Sequence, residues 1–277
     1  MVSKKLPLFP HTITRIPPSQ RLGASGLASR ARISSFGVGQ LFKNKFMLIG
    51  GLQKTTLIDY PGKIAATVFL LGCNFRCPWC YSSELVLPEK IKFQPKISEK
   101  DFFDFLKERK GLLEGVVICG GEPTLNNDLP KFCQKIKKMG FLVKLDTNGS
   151  NPQMLKKLID KKLVDYVAMD IKGPKEKYNE CAGVKVDLKK IQKSIDILKE
   201  GKVDYEFRST IVPTLHKKED VIEMAKWIWG AKRYFLQNFR PEKTVNPSFE
   251  KIKPYPQEFL LEIQKIISPF FEICQVR

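Results

Sequence analysis

The chain has 277 residues, 43% hydrophobic and 10% aromatic, with 48 Lys and Arg against 29 Asp and Glu. That is enough apolar mass for a full core, which excludes global disorder. The longest apolar run, residues 64–71, falls far short of the roughly 20 residues that span a bilayer. A net charge of +19 invites a nucleic-acid reading, so its distribution along the chain matters.

Residues 1–46 hold eight basic residues and no acid, are rich in Ser, Gly and Pro, and carry no sustained period. They read as a disordered basic extension preceding one folded domain over 47–277. The favoured reading is an idle tail or a translation-start artefact, with Met47 as the true start. A transit peptide and a nucleic-acid-binding arm are the other two. The remaining 40 basic and 29 acidic residues leave the domain at +11.

From Met47 onward, buried-strand runs alternate with amphipathic stretches. Ala65–Leu71 reads as a strand. A helix follows over Ser98–Arg109, with Ser98 as N-cap and Asp101 three residues on. Val116–Cys119 is a strand, Asn127–Met139 a helix, Phe141–Leu145 a strand, Pro152–Lys162 a helix and Val164–Met169 a strand. Then come the helix Asp187–Glu200, the strand Val203–Val212, the helix Asp220–Trp229, the strand Tyr234–Gln237, the helix Gln257–Ile267 and a closing strand over Phe271–Val276. About six strand–helix units imply an α/β fold with a parallel sheet and right-handed crossovers. Six units are two short of a closed eightfold barrel, so an open partial (β/α)6 barrel is expected. Parallel sheets bind ligands at the carboxyl ends of their strands. There the sequence places Cys73, Gly120-Gly121-Glu122, Asp146-Thr147-Asn148-Gly149, Asp170-Ile171-Lys172, Arg208 and Gln237-Asn238.

Cys73, Cys77 and Cys80 are spaced CxxxCxxC within eight residues. Structural zinc needs four ligands, and no fourth Cys or His lies nearby; the two histidines are His11 and His216. A disulfide would leave one thiol over. Three thiolates on a [4Fe–4S] cube would leave one iron free of protein ligands, which a substrate- or cofactor-binding cluster requires. The cluster is the favoured reading, with zinc and a disulfide as alternatives. Cys119, Cys133, Cys181 and Cys274 are not expected to be ligands. Cys133 and Cys274 fall at buried positions, and Cys181 is expected in a loop, open to solvent.

The cysteine loop with Trp79 before Cys80 resembles the signature of the radical S-adenosylmethionine superfamily, and Gly120-Gly121-Glu122-Pro123 resembles its GGE segment. Residues 55–63 (TTLIDYPGK), Asp146-Thr147-Asn148-Gly149, Asp170-Ile171-Lys172 and residues 207–213 (FRSTIVP) resemble the glycyl-radical-activating enzymes. Among them, the chain from Leu57 onward looks most like anaerobic ribonucleoside-triphosphate reductase activating proteins, and more distantly like pyruvate formate-lyase activating enzyme.

The resemblance implies an oxidoreductase with one [4Fe–4S] cluster on Cys73, Cys77 and Cys80 and S-adenosylmethionine on the open iron. It implies cofactor contacts from Trp79, Gly120, Gly121, Glu122, Asp146, Asn148, Asp170, Lys172 and Arg208. Glu122 would receive the methionine ammonium, Lys172 the carboxylate, and Trp79 the adenine. Asp146, Thr147 and Asp170 are read as a site for a monovalent cation, an oxygen-only set suited to a hard ion. For each a blander role stands beside the functional one: a solvated lysine, a capped turn, packing under the loop, a structural ion pair. The implied partners are a glycyl radical enzyme and a flavodoxin or ferredoxin donor, in a reducing cytoplasm. A small-molecule radical enzyme, such as a 7-deazaguanine-precursor synthase, is the alternative. The nucleic-acid reading rests on charge alone, without a helix-turn-helix or aromatic RNA-binding signature.

Overall fold

The structure is a computed structural model and describes residues 47–277. The extension expected over 1–46 lies outside the described residues. The strands are β1 (Ile49–Thr56), β2 (Ala65–Leu70), β3 (Gly115–Gly120), β4 (Leu142–Thr147), β5 (Tyr166–Asp170), β6 (Asp204–Ile211), β7 (Arg233–Asn238) and β8 (Ile273–Val276). The helices are α1 (Ser83–Val86), α2 (Pro88–Ile91), α3 (Glu99–Glu108), α4 (Leu129–Lys138), α5 (Pro152–Asp160), α6 (Tyr178–Ala182), α7 (Leu188–Lys199), α8 (Lys218–Trp227) and α9 (Gln257–Ile267). All eight strands lie in one sheet, in chain order from β1 to β8, so the sheet is open. β1 runs antiparallel to β2, and every later pair is parallel. β2 to β7 are the six expected strand–helix units and β8 is the closing strand.

Alternation along each strand sets the two faces. Val116, Ile118, Val143, Leu145, Val167, Met169, Phe207, Tyr234 and Leu236 are buried in one core with Phe102, Leu106, Phe132, Leu155 and Ile195 of the helices. Their neighbours point to the concave face, where Lys144, Asp146, Asp170, Glu206 and Arg208 sit. Asp146 of β4 reaches Arg208 of β6 across β5, which shows the sheet's curvature. The core is thus on the convex side, under the helices, and the lumen is polar.

The amino-terminal end of the lumen is closed by an aromatic floor. Tyr60, from the β1–β2 turn, is buried beside Ala65, Val117 and Tyr166, with the two tyrosine rings 6.0 Å apart. Local signals explain most boundaries. Ser98 Oγ accepts from Asp101 N at 3.0 Å and caps α3. α8 begins two residues before its expected start because the Asp220 carboxylate accepts from Lys217 N at 2.9 Å. No helix among the described residues is long and apolar enough to cross a membrane.

Two differences stand out. β1 was not expected: it is a half-exposed edge strand carrying Gly50-Gly51, with irregular register against β2. Gly50 lets Leu71 pack close, since a Cβ would lie 2.3 Å from Leu71 Cδ2 and the leucine would have to shift. Cys181 is not in a solvent-open loop. It lies on α6 and is fully buried, because this five-residue helix docks under the cysteine loop.

Candidate active site

The cysteine loop follows β2 and is held at both ends by other parts of the chain. Arg76 N donates to Ala182 O at 2.8 Å, and Trp79 Nε1 donates to Cys181 O at 3.1 Å. On the other side, Val245 N donates to Cys80 O and Asn246 N to Pro78 O, both at 2.9 Å. Gly183, at φ +67°, lets α6 approach; a Cβ there would lie 2.0 Å from Arg76 O. Cys73 and Cys77 are buried, Cys80 is half-buried, and all three thiols are free. Burial pushes the Cys77 thiol up to about 12, the largest effect, while Lys172 pulls it down. Burial also raises Cys73 and Cys80, and the thiols of Cys77 and Cys80 lie close enough to act on Cys73. Among the described residues, no three His, Cys, Asp or Glu side chains gather as a site for one metal ion. A four-iron cube takes thiolates at separate corners, farther apart than the ligands of a single ion. Three free thiols on one anchored loop, without a fourth in it, are a donor set that fits such a cluster with one open iron.

Gly120 and Gly121 bring the end of β3 against the stem of that loop. Gly120 takes φ +111°, and a Cβ on Gly121 would lie 1.9 Å from Gly72 O. Both glycines therefore serve a backbone-to-backbone approach, sealed by Gly121 N to Leu70 O and Glu122 N to Gly72 O, each 2.8 Å. Glu122 is buried, and burial raises its pKa against the pull of its donors. One oxygen accepts from Thr147 Oγ1 at 2.7 Å, Thr124 N at 3.1 Å and the Thr124 hydroxyl. The other, Oε2, accepts from Asn148 N at 2.6 Å and keeps a second lone-pair direction. Asn148 joins this carboxylate to the loop, donating to Asn74 Oδ1 at 3.0 Å.

A charge ladder crosses the lumen below the loop. Fully buried Lys144 binds Asp146, Arg208 Nη1 donates to Asp146 at 3.0 Å, Arg208 Nε donates to Asp170 at 3.1 Å, and Lys172 Nζ donates to Asp170 at 3.3 Å. Burial would raise the carboxyl pKa values, but Arg208 with Lys144 holds Asp146 low, and Arg208 with Lys172 holds Asp170 low. Burial works against the Lys172 charge, yet Asp170 and the nearby thiols keep its pKa well above the ordinary value. Three cations face two carboxylates, so the ladder ends with a surplus cation, Lys172, beside the cysteine loop. Its Nζ lies 5.1 Å from the Trp79 ring centroid.

The residues read as a monovalent-cation set meet other partners: Asp146 and Asp170 converge on the Arg208 guanidinium. Both oxygens of Asp146 and both of Asp170 are engaged by side-chain cations, and the Thr147 hydroxyl turns to Glu122. Gln237 is half-buried on β7. Asn238 donates to Tyr255 O at 2.7 Å. Cys119 lies on β3, Cys133 is buried on α4 and Cys274 on β8. A shallow surface depression lined by Gln153, Lys156, Lys157 and Lys193 lies on α5 and α7 and includes none of these residues.

Three buried polar groups were not anticipated. Lys144 anchors the ladder. Glu206 takes both guanidinium nitrogens of Arg277, at 3.0 and 3.1 Å, and the Tyr166 hydroxyl at 2.9 Å. His216, fully buried, lies 2.9 Å from Lys172 O. A signal for two of them is in the sequence: Lys144 and Asp146, like Glu206 and Arg208, are two apart on strands with apolar residues between, the period of a polar inner face.

With this geometry in place, known proteins give the class. The sequence profile of the radical SAM superfamily matches residues 67–228, which span the cysteine loop, the GGE turn, the ladder and Arg208, and the chain belongs to that superfamily. Within it, the chain belongs to the same family as a Methanocaldococcus jannaschii protein named as a candidate glycyl-radical enzyme activating enzyme. The two are 36% identical over 236 residues, 83% of this chain and 95% of the relative. A second such protein of that organism is 27% identical over 65% of this chain and 68% of its own length. In fold, the chain is similar to Streptococcus suis SuiB (TM-score 0.58, 16% identity), covering 74% of this chain and 47% of SuiB. It is also similar to Escherichia coli QueE (TM-score 0.51, 16% identity), covering 88% of this chain and all of QueE.

Proposed function

We propose that the protein activates a glycyl radical enzyme, with anaerobic ribonucleoside-triphosphate reductase as the first partner to test. Cys73, Cys77 and Cys80 would hold one [4Fe–4S] cluster, with S-adenosylmethionine at its open iron. When bound and reduced by one electron, the cluster supplies the reductive cleavage of S-adenosylmethionine to methionine and a 5′-deoxyadenosyl radical. The chain's own residues bind and orient. Lys172, the surplus cation of the ladder, would take the methionine carboxylate, and the free lone pair of Glu122 Oε2 the ammonium. Trp79, Asn148 and Arg208, with the Gly120-Gly121 backbone and the paired Asp146 and Asp170, would shape the pocket. The target would be the Cα–H of one glycine on the partner, whose hydrogen would end on 5′-deoxyadenosine and leave a glycyl radical. The electron would come from a flavodoxin or ferredoxin in an oxygen-poor cytoplasm, steered in part by the basic surface.

The observation that carries this reading is the convergence of three free thiols, a buried carboxylate and a surplus buried cation at one end of an open sheet. An open sheet also suits a macromolecular substrate, since a glycine loop must reach the radical. The test is anaerobic incubation of cluster-loaded protein with S-adenosylmethionine, a one-electron donor and the reductase. The expected result is a glycyl radical signal by electron paramagnetic resonance (EPR), together with 5′-deoxyadenosine. Cofactor cleavage without that signal would shift the partner to pyruvate formate-lyase, another glycyl radical enzyme or a small molecule. A stretch of 82 residues that is 35% identical to Aquifex aeolicus 7-carboxy-7-deazaguanine synthase keeps the small-molecule reading in view.

A further inference from the structure

His216 lies outside every motif considered above, yet it sits behind Lys172. It is fully buried in the turn after β6. Val212 N donates to His216 Nδ1 at 3.0 Å, so the ring proton is on Nε2. Nε2 then donates to Lys172 O at 2.9 Å, with Cys181 Sγ at 3.4 Å. Burial lowers the imidazole pKa to about 4, which keeps this ring neutral. From Lys172 the contacts run on to the Trp79 ring, from the Trp79 indole N–H to Cys181 O, and from Cys181 Sγ back to His216. Four residues from four segments thus form a closed circuit: the end of β5, the cysteine loop, α6 and the turn after β6. Gly173 makes room for the Cys181 corner of it, since a Cβ there would lie 2.6 Å from Cys181 Sγ. Tyr255 Oη donates to His216 O at 3.0 Å and fixes the turn from outside.

We propose that His216 is a positioning residue: by holding the Lys172 carbonyl it sets where the Lys172 ammonium stands over the cysteine loop, and so the affinity for the carboxylate of S-adenosylmethionine. This rests on the reading of Lys172 given above. It predicts that the length of the side chain at 216 matters more than its polarity. In His216→Gln the terminal amide can still donate to Lys172 O while its oxygen accepts from Val212 N. In His216→Asn the donor falls short of Lys172 O.

The test uses cluster-loaded full chain, kept anaerobic, with S-adenosylmethionine as the probe. Its readouts are the dissociation constant and the change in the EPR signal of the reduced cluster when the probe is added. His216→Asn is expected to weaken binding about tenfold, the cost of one buried hydrogen bond, and to alter the cofactor-induced EPR change. His216→Gln is expected to stay within about threefold of the parent. Lys172→Met should lose more than either, and adding His216→Asn to it should cost nothing further. If Lys172→Met binds the cofactor normally, the reading of Lys172 is wrong. If Lys172→Met loses binding while His216→Asn binds like the parent, or if the two losses add, the positioning role is wrong. Equal weakening by Gln and Asn would also overturn it.

Discussion

The two ends of the lumen handle buried charge differently. At the floor, Glu206 meets one arginine in a bidentate pair and one tyrosine hydroxyl, beside the Tyr60–Tyr166 aromatic plug. At the carboxyl end, Asp146 and Asp170 are shared among Lys144, Arg208 and Lys172, and the arithmetic leaves one positive charge over. A closed pair stabilises or specifies the fold and asks for nothing more. An open ladder is electrostatically incomplete until an anionic group arrives. The same contrast holds for the backbone: Tyr60 plugs the floor from one short turn, whereas the cysteine loop is held by hydrogen bonds from two distant segments.

Removing one charge from each end separates the two roles. Arg208→Met strips both ladder carboxylates of a partner and should have the largest effect. We expect a stability loss of about 3 kcal/mol or more in urea unfolding, together with loss of S-adenosylmethionine binding. Arg277→Ala leaves Glu206 with only the Tyr166 hydroxyl. Because Arg277 is itself partly exposed, the expected loss is smaller, about 2 kcal/mol, with cofactor binding unchanged. If Arg277→Ala weakens cofactor binding as much as Arg208→Met does, the division of labour fails.

A pH series sharpens the comparison at the carboxyl end. The His216 imidazole titrates near 6.5 in the unfolded chain and near 4 in the fold, because burial disfavours its charge. Between those values the unfolded state binds more protons. Its contribution is therefore present above pH 6.5 and is lost as pH falls toward 4. Melting temperature should fall less steeply over that window in His216→Gln than in the parent. Equal slopes would mean that the imidazole titrates normally in the fold. The smallest effect expected is at the convex side. Ser98→Ala, which removes the cap of α3, should cost about 1 kcal/mol and leave the lumen untouched.

Much of this was legible in the sequence, and the misses share physical causes. β2 to β8 and the longer helices α3, α4, α5, α7, α8 and α9 follow from runs such as Val116–Cys119 and stripes such as Leu188, Ile191, Ile195 and Leu198. The three cysteines and the polar residues at the strand ends were legible as one group, and the structure gathers Cys73, Glu122, Asn148, Asp146, Asp170, Lys172 and Arg208 at the carboxyl ends of the strands. β1 was hidden because Gly50-Gly51, packed against Leu71 and Phe69, stand where a strand would ordinarily show branched residues. Cys181 looked exposed because a five-residue helix leaves almost no periodic trace. Lys144 and Glu206 were missed because a charged residue in a strand is ordinarily read as facing solvent. Here the face away from the helices is a charged lumen, so the usual assignment of inside and outside is inverted. Contacts between distant segments, such as His216 with Lys172, have no local signature at all.

The central claim is that the three thiols of the loop hold the redox centre that cleaves the cofactor. The most direct measurement is 5′-deoxyadenosine release from S-adenosylmethionine by anaerobically reconstituted, reduced protein, comparing the parent with Cys77→Ala. The account predicts release by the parent and none above background by the variant. Full release by Cys77→Ala, or none by a parent that carries its cluster, would contradict it.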